Sequence, residues 1–346
     1  VIAQNGNDAG IIGAASLVGT ACSGQAAQHC VPEKEVLFLE PACTENIWGG
    51  SRLKQEFHYP SASDQTGECW GISAHPNGDG MIKNGRFAGK HLSEVWQTHP
   101  QLFGSDGTGD FPLLAKIIDA RQDLSIQVHP DDTYAREHEN GANGKTECWY
   151  ILDCEQPASL VIGHNAHTKE ELSQMIKEDR WKELLREVPV KKGDFIPIEP
   201  GTVHAIKGGC LIFETQQNSD VTYRLYDYGR LSNGKPRELH LDKSMDVIKV
   251  PAKETAGSIC SVDGLPKNQM HQLLDCAYFT IFKIDVAGEV QLEQAYPFLA
   301  VSVLEGEGYV DEYPVKKGDH CILPAGYGRF CLKGNMMLMA STKKHM

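Results

Sequence analysis

Four residues of this chain are of the types that hold a divalent cation: Gln127, His129, Glu147 and His204. Two imidazoles, a carboxylate and an amide oxygen suit zinc. A set that leaves coordination positions open suits a catalytic centre rather than a closed structural one. The first two sit in Ser125-Ile126-Gln127-Val128-His129-Pro130-Asp131-Asp132. The run before it, Phe111 to Ile126, is apolar and β-branched and reads as strand. Ser125, Gln127 and His129 then share one face by the period of two, and Pro130 removes a ladder donor and ends the strand. Three polar groups in a row at the end of a buried strand are costly without partners, and a bound metal supplies them.

The remaining candidates need strands of their own. Lys145 to Leu152 reads as a strand with Lys145, Glu147 and Trp149 on one face. Pro189 to His204 reads as a Gly-Asp turn, a short strand, a Pro-Gly turn and a terminal histidine. Cys210–Thr215 is another strand, and Ser219 to Tyr228 follows with Arg224 flanked by Tyr223 and Tyr226. Nearer the start, Val36-Leu37-Phe38-Leu39 is a short strand ended by Pro41. Trp48-Gly49-Gly50 is a turn, and Trp70 to His75 is a strand before Pro76-Asn77-Gly78. Residues 91–103 read as a short helix and 133–144 as a polar loop. Residues 168–188 read as the best helix of the chain, with Thr168 and Glu171 at capping-box spacing and a core-packing stripe of Leu172, Met175, Ile176, Trp181, Leu184, Leu185 and Val188. After about residue 240, polar segments with Pro and Gly read as a linker.

An internal repeat separates a working copy from a structural one. Pro314-Val315-Lys316-Lys317-Gly318-Asp319 repeats Pro189-Val190-Lys191-Lys192-Gly193-Asp194, 125 positions on. The register carries Gly201 onto Gly326 and Ile198 onto Leu323. It also carries His204 onto Arg329, which stays protonated and cannot ligate a metal. Two copies of short strands with Gly and Pro turns imply a mainly β protein of two antiparallel jelly-roll sandwiches with a few helices. The spacing Gly193, Gly201, His204 resembles the second motif of the cupin superfamily. The first cupin motif departs from its usual form, with Gln127-x-His129 in place of His-x-His and Glu147 displaced eighteen residues on.

The 346 residues allow more than one domain core. The expected organisation is an extension at 1–34, a catalytic sandwich at 35–250 with a helical insert near 168–188, and a degenerate sandwich at 251–346. The formal charge of −13 argues against a nucleic-acid partner while leaving room for a local cationic pocket. No run is long enough to span a membrane. The 11 cysteines are scattered without a Cys-x-x-Cys pair. That pattern implies free thiols and a reducing compartment. Residues 1–30 are rich in Gly, Ala, Ser and Asn, lack the basic start of a secretory signal, and at 5–15 weakly resemble the C-terminal end of ROK-family sugar kinases. They read as a remnant without a role in the chemistry.

From about Val36 to the end, the chain resembles type I mannose-6-phosphate isomerases of the short bacterial form. The carriers are Ile47-Trp48-Gly49-Gly50, Ser125 to Asp132, Gly144-Lys145-Thr146-Glu147, Pro200-Gly201-Thr202-Val203-His204-Ala205 and Asp220-Val221-Thr222-Tyr223-Arg224. The resemblance implies one zinc per subunit on His129, Glu147 and His204, with Gln127 as a further ligand in some members. It implies Arg224 as the active-site arginine and Ser125 and Lys145 as contacts to the sugar phosphate. It also implies a cytoplasmic enzyme, monomeric or a small homo-oligomer. Interconverting mannose 6-phosphate and fructose 6-phosphate moves a proton between C2 and C1 through an enediol, and a cation or a fixed arginine stabilises the charge that develops on O1 and O2. The general base stays open among Lys145, a histidine, a carboxylate and a metal-activated water. Two other readings compete: an iron cupin oxygenase on two His and one carboxylate, and a sugar-phosphate-binding cupin without catalysis.

Overall fold

A computed structural model describes residues 34–60, 63–232, 234–254 and 259–344; the residues read as a kinase-like remnant lie outside them. The chain is mainly β, with three antiparallel sheets of seven, five and eight strands and a two-stranded hairpin. The seven-stranded sheet runs Cys260–Ser261, Asp194–Ile198, Glu147–Cys154, Cys210–Gln217, Leu113–Ala120, Ala42–Gly50 and Thr66–Ile72. The five-stranded sheet runs Tyr223–Tyr226, Ile126–Val128, His204–Ala205, Ala158–His164 and Leu185–Val190. Trp48, Ile118, Trp149, Ile151, Ile162 and Ile212 fill the space between these two sheets.

The seven-stranded sheet is covered on its other face as well. Leu113, Ala115, Tyr150 and Phe213 pack there with Phe279, Ile281, Ala300, Ile322 and Met337 of the eight-stranded sheet. Two covered faces mean that Leu113–Ala120 and Cys210–Gln217 are buried at every residue, so neither shows the apolar–polar alternation of a half-exposed strand. The second sandwich is the eight-stranded sheet, whose strands Phe279–Gln294 and Gly328–Lys343 are each 16 residues long. Val301, Val303, Leu323, Phe330 and Leu338 pack in a core of their own.

The sheets take strands across the expected boundary at residue 250. Leu37–Glu40 pairs with His320–Leu323 on one side and Met81–Ile82 on the other, so the second sandwich draws on both ends of the described chain. Residues 34–346 form one compact unit.

Several local readings are corrected. The run from Phe111 to Ile126 is two strands in two sheets, Leu113–Ala120 and Ile126–Val128. Between them Arg121-Gln122-Asp123 turns the chain across the sandwich: Gln122 N donates to Trp48 O at 3.1 Å, and Asp123 Oδ1 accepts from Gly208 N at 2.8 Å. The polar stretch after Asp131 holds a helix, Asp132–His138, because Asp131 caps it by accepting from Tyr134 N at 2.9 Å. The long helix of 168–188 is shorter: Lys169–Lys177, then one turn at Trp181–Leu184, then the strand Leu185–Val190. Its start is as read, with Glu171 N donating to Thr168 Oγ1 at 3.1 Å. Its end is set by Asp179, which adopts φ 57° and takes the chain out of the helix. The stretch read as a linker after residue 240 begins with the helix Leu241–Val247. Cys43 and Cys69, read as free thiols, are register partners on neighbouring strands and form a disulfide, whereas the other seven described cysteines are free.

Candidate active site

The ligand set converges because strand register brings it together. His204 lies opposite Gln127, and Gln127 lies opposite Arg224, on three adjacent strands of the five-stranded sheet. His129 follows one residue past the end of the middle strand. Glu147 opens the strand Glu147–Cys154 of the facing sheet, on the face that carries Trp149 and Ile151 toward the sandwich interior. The ligating atoms of His129, Glu147 and His204 all lie within 4.8 Å of one another, and all three residues are buried. His129 Nε2 is 3.5 Å from Glu147 Oε2, and His204 Nε2 is 3.3 Å from Glu147 Oε1. Gln127 closes a fourth side with its amide 3.4 Å from His204 Nε2.

The hydrogen-bond partners fix which atoms are free. Nδ1 of His129 donates to Val221 O at 2.8 Å, and Nδ1 of His204 donates to Thr202 O at 2.8 Å. Each imidazole therefore points the lone pair of Nε2 at the carboxylate, the arrangement in which a backbone carbonyl orients a metal-ligating histidine. Burial pushes the His129 imidazole well below its ordinary pKa, aided by the Lys145 charge, and burial lowers that of His204. Burial alone would raise the Glu147 carboxyl; the Lys145 charge beside it pulls it below its ordinary value. Two neutral imidazoles thus face an ionised carboxylate. Oε2 of Glu147 pairs with Lys145 Nζ at 2.7 Å and faces His129, while Oε1 is buried without a hydrogen-bond partner and faces His204. A buried carboxylate with an unpartnered oxygen, beside two aimed lone pairs, is a donor set that fits a divalent cation.

Lys145 stands at this cluster. Its Nζ is 3.1 Å from His129 Nε2, 2.7 Å from Glu147 and 3.7 Å from Glu214. Glu214 belongs to a buried chain of charges that sequence reasoning missed: Lys116 Nζ lies 3.0 Å from Glu68 and 3.2 Å from Glu214. Trp149 Nε1 donates to Glu214 at 2.8 Å, and Trp70 Nε1 donates to Glu68 at 2.9 Å. The signal was present as single charges inside the apolar runs Leu113–Ala120 and Cys210–Gln217, which are costly unless paired. Glu68, Lys116 and Glu214 line a cavity of about 190 Å³ together with Ser125, Gln127, Lys145 and Arg224.

Ser125 and Arg224 form its other wall. Arg224 Nε donates to Ser125 Oγ at 3.3 Å and Nη1 to Glu238 O at 2.9 Å. Burial, and then repulsion from Arg237, holds the Arg224 guanidinium below its ordinary value. Arg237 lines the same cavity and was also missed. All seven residues singled out from the sequence therefore lie at one place.

Known proteins resemble the chain at both ends and along its length. A model of the phosphomannose isomerase type I catalytic domain matches residues 36–158, and one of the mannose-6-phosphate isomerase cupin domain matches residues 269–343. The mannose-6-phosphate isomerase ManA of Bacillus subtilis is 52% identical over 312 residues, which cover 87% of this chain and 96% of that one. The chain belongs to the type I phosphomannose isomerase family. Another relative in this family, the mannose-6-phosphate isomerase of Streptococcus mutans, is 45% identical over 89% of this chain and 98% of its own. The crystal structure of the mannose 6-phosphate isomerase from B. subtilis matches with a TM-score of 0.81 at 43% identity, over 90% of this chain and 99% of that one. The fold extends to a putative mannosephosphate isomerase from Archaeoglobus fulgidus, with a TM-score of 0.73 at 20% identity over 91% of this chain.

Proposed function

We propose that this family member interconverts D-mannose 6-phosphate and D-fructose 6-phosphate by proton transfer through an enediol at the His129, Glu147 and His204 cluster. The observation that carries the reading is a buried His-Glu-His triad in contact with Gln127 and Lys145, which line a cavity together with Lys116 and Arg224. His129, Glu147 and His204 hold one zinc ion per subunit, with Gln127 at its edge, and a divalent cation there supplies Lewis-acid stabilisation of oxygen charge.

The chain's own groups divide the remaining work. Lys145 contacts the carbonyl end of the sugar, since its ammonium lies against His129 and Glu147. Arg224, bonded to Ser125, offers a fixed guanidinium to the negative charge of the enediolate. Ser125 hydrogen-bonds the sugar. The proton that moves between C2 and C1 is exchanged with the Lys145–Glu147–Glu214 group, whose members are linked by the contacts given above. Within the compact unit, residues 35–250 supply the chemistry and 251–346 support it. A phosphorylated sugar does not cross a bilayer unaided, which favours a cytoplasmic location for the enzyme. A coupled assay that follows fructose 6-phosphate formation from mannose 6-phosphate tests the reading. Turnover that stops when Lys145→Ala is introduced, in a chain that still holds its metal, is expected; wild-type protein without turnover in the presence of zinc would overturn it.

A further inference from the structure

Arg224 stands on an outer strand. Tyr223–Tyr226 is at the edge of the five-stranded sheet and pairs with Ile126–Val128 on one side only. An edge strand presents a row of N–H and C=O groups without ladder partners. At Arg224 both groups are taken by a single residue, 16 positions on. His240 N donates to Arg224 O at 2.8 Å, and Arg224 N donates to His240 Nδ1 at 3.2 Å. The second bond uses a side chain where a further strand would supply a carbonyl.

That bond fixes the state of the ring. A backbone N–H only donates, so Nδ1 of His240 holds a lone pair and the neutral ring carries its proton on Nε2. Burial holds the imidazole below its ordinary pKa; Arg224 and Lys243 lower it further, against Glu238 and Glu139. The residue is itself held in place. It immediately precedes the helix Leu241–Val247, and its carbonyl accepts from Ser244 N at 2.9 Å and Ser244 Oγ at 2.7 Å. Glu139 ties that helix to the strand of Arg224, accepting from Lys243 Nζ at 2.6 Å and from Tyr223 Oη at 2.8 Å. Two residues before His240, the carbonyl of Glu238 accepts from Arg224 Nη1 at 2.9 Å. The segment Glu238-Leu239-His240 thus grips Arg224 at its backbone and at its guanidinium, and Ser125 Oγ holds Nε at 3.3 Å.

Resting on the isomerase reading, we propose that His240 is a positioning residue for the reaction: through Nδ1 it holds the backbone of Arg224 and so aims the guanidinium at the enediolate. His240 is not among the residues that line the cavity, so it acts through Arg224 and moves no proton of the sugar. A fixed guanidinium stabilises developing charge without reorganising, whereas one carried on a loose edge strand has to be ordered as the reaction proceeds. Of the three contacts between this segment and Arg224, only the bond to Nδ1 is made by a side chain of the segment, so substitution removes it alone.

The experiment uses the full chain. It measures kcat and KM for mannose 6-phosphate, metal content, and amide hydrogen exchange at Arg224 by mass spectrometry with residue-level fragmentation. His240→Ala is expected to lower kcat about 10-fold, with KM within a few-fold and metal content unchanged, because the aimed charge acts in the transition state. Its Arg224 amide is expected to exchange at least about 10-fold faster. His240→Asn returns an acceptor oxygen close to the place of Nδ1 and is expected to bring both readings back to within about three-fold of wild type. On an Arg224→Ala background, His240→Ala is expected to cost no more than about two-fold further, since its effect passes through the missing guanidinium. Wild-type kcat in His240→Ala overturns the proposal. So does an undiminished loss on the Arg224→Ala background, or a loss in His240→Asn equal to that in His240→Ala. The exchange reading needs no turnover. Wild-type protein that fails to isomerise mannose 6-phosphate with zinc present defeats the isomerase reading, whereas unchanged Arg224 exchange in His240→Ala defeats this one.

Discussion

The two copies of the Pro-Val-Lys-Lys-Gly-Asp unit fold alike and do different things. In the first, Lys191 N donates to Asp194 Oδ2 at 2.9 Å with Gly193 at φ 85°. In the second, Lys316 N donates to Asp319 Oδ2 at 2.8 Å with Gly318 at φ 94°. The aspartate closes the same turn, and only glycine takes that backbone conformation without strain. Ten residues on, the copies part. His204 is buried, and its Nε2 faces Glu147; Arg329 is exposed, opposite Glu293 on a neighbouring strand. The second copy does bury a histidine, His320, but Tyr59 Oη at 2.7 Å and Ser302 Oγ at 2.8 Å occupy both of its ring nitrogens. The nitrogens of His320 are taken up by two hydroxyls, whereas the Nε2 atoms of His129 and His204 converge on the Glu147 carboxylate. What the repeat preserves is the turn that starts a strand, and what differs is whether a buried carboxylate faces the imidazole.

Four substitutions sharpen that contrast, beginning with the largest effect. His204→Ala removes a ligand from the first copy. Metal content should fall, and activity should fall by more than the roughly 10- to 100-fold that loss of an outer hydrogen-bond partner costs. Circular dichroism should be unchanged. Arg224→Ala should lower kcat by about 100- to 1000-fold with metal content intact, as read by steady-state kinetics and metal analysis. His320→Gln in the second copy should leave kcat alone and cost about 1–3 kcal/mol in denaturant unfolding, since Tyr59 and Ser302 lose their shared partner. Arg329→His should do almost nothing, with stability within about 0.5 kcal/mol and no second metal bound, because the carboxylate opposite it, Glu293, is exposed like Arg329 itself and the pair would offer only two ligands. A second equivalent of metal in that variant would break the comparison.

His320 also sets a pH signature. Burial, with a smaller contribution from Lys83, pushes its imidazole down to about 3, against an ordinary value near 6.5 in the unfolded chain. The unfolded state therefore binds the extra proton, and stability falls as pH drops from about 6.5 toward 3. The slope from this one group is about 1.4 kcal/mol per pH unit. His320→Gln should be less sensitive to acid by that slope when unfolding is followed between pH 4 and 7.

The convergence of His129, Glu147 and His204 was legible because each begins a strand or follows directly on one whose face could be read from the alternation of apolar residues. The repeat added the decisive contrast between His204 and Arg329. What escaped the sequence depends on contacts between distant strands. The charges Lys116 and Glu214 sit in runs that are buried on both faces, where alternation carries no information about direction. The break at Arg121–Asp123 looked like a strand end only once the two sheets were apart. The return of Leu37–Glu40 to the second sandwich, and the pairing of Cys43 with Cys69, are matters of register between strands, which spacing along the chain does not encode. Arg237 is silent for the same reason: its partner Asp227 is near in sequence, but the cavity it lines is built from strands far away.

The most direct test is zinc stoichiometry measured beside mannose 6-phosphate turnover, in wild-type chain and in His204→Ala, before and after chelation. One equivalent of metal in wild type, none in the variant, and turnover that disappears on chelation and returns with zinc is the expected result. Full turnover by the metal-free chain, or a full equivalent of metal held by His204→Ala, would contradict a catalytic centre built on His129, Glu147 and His204.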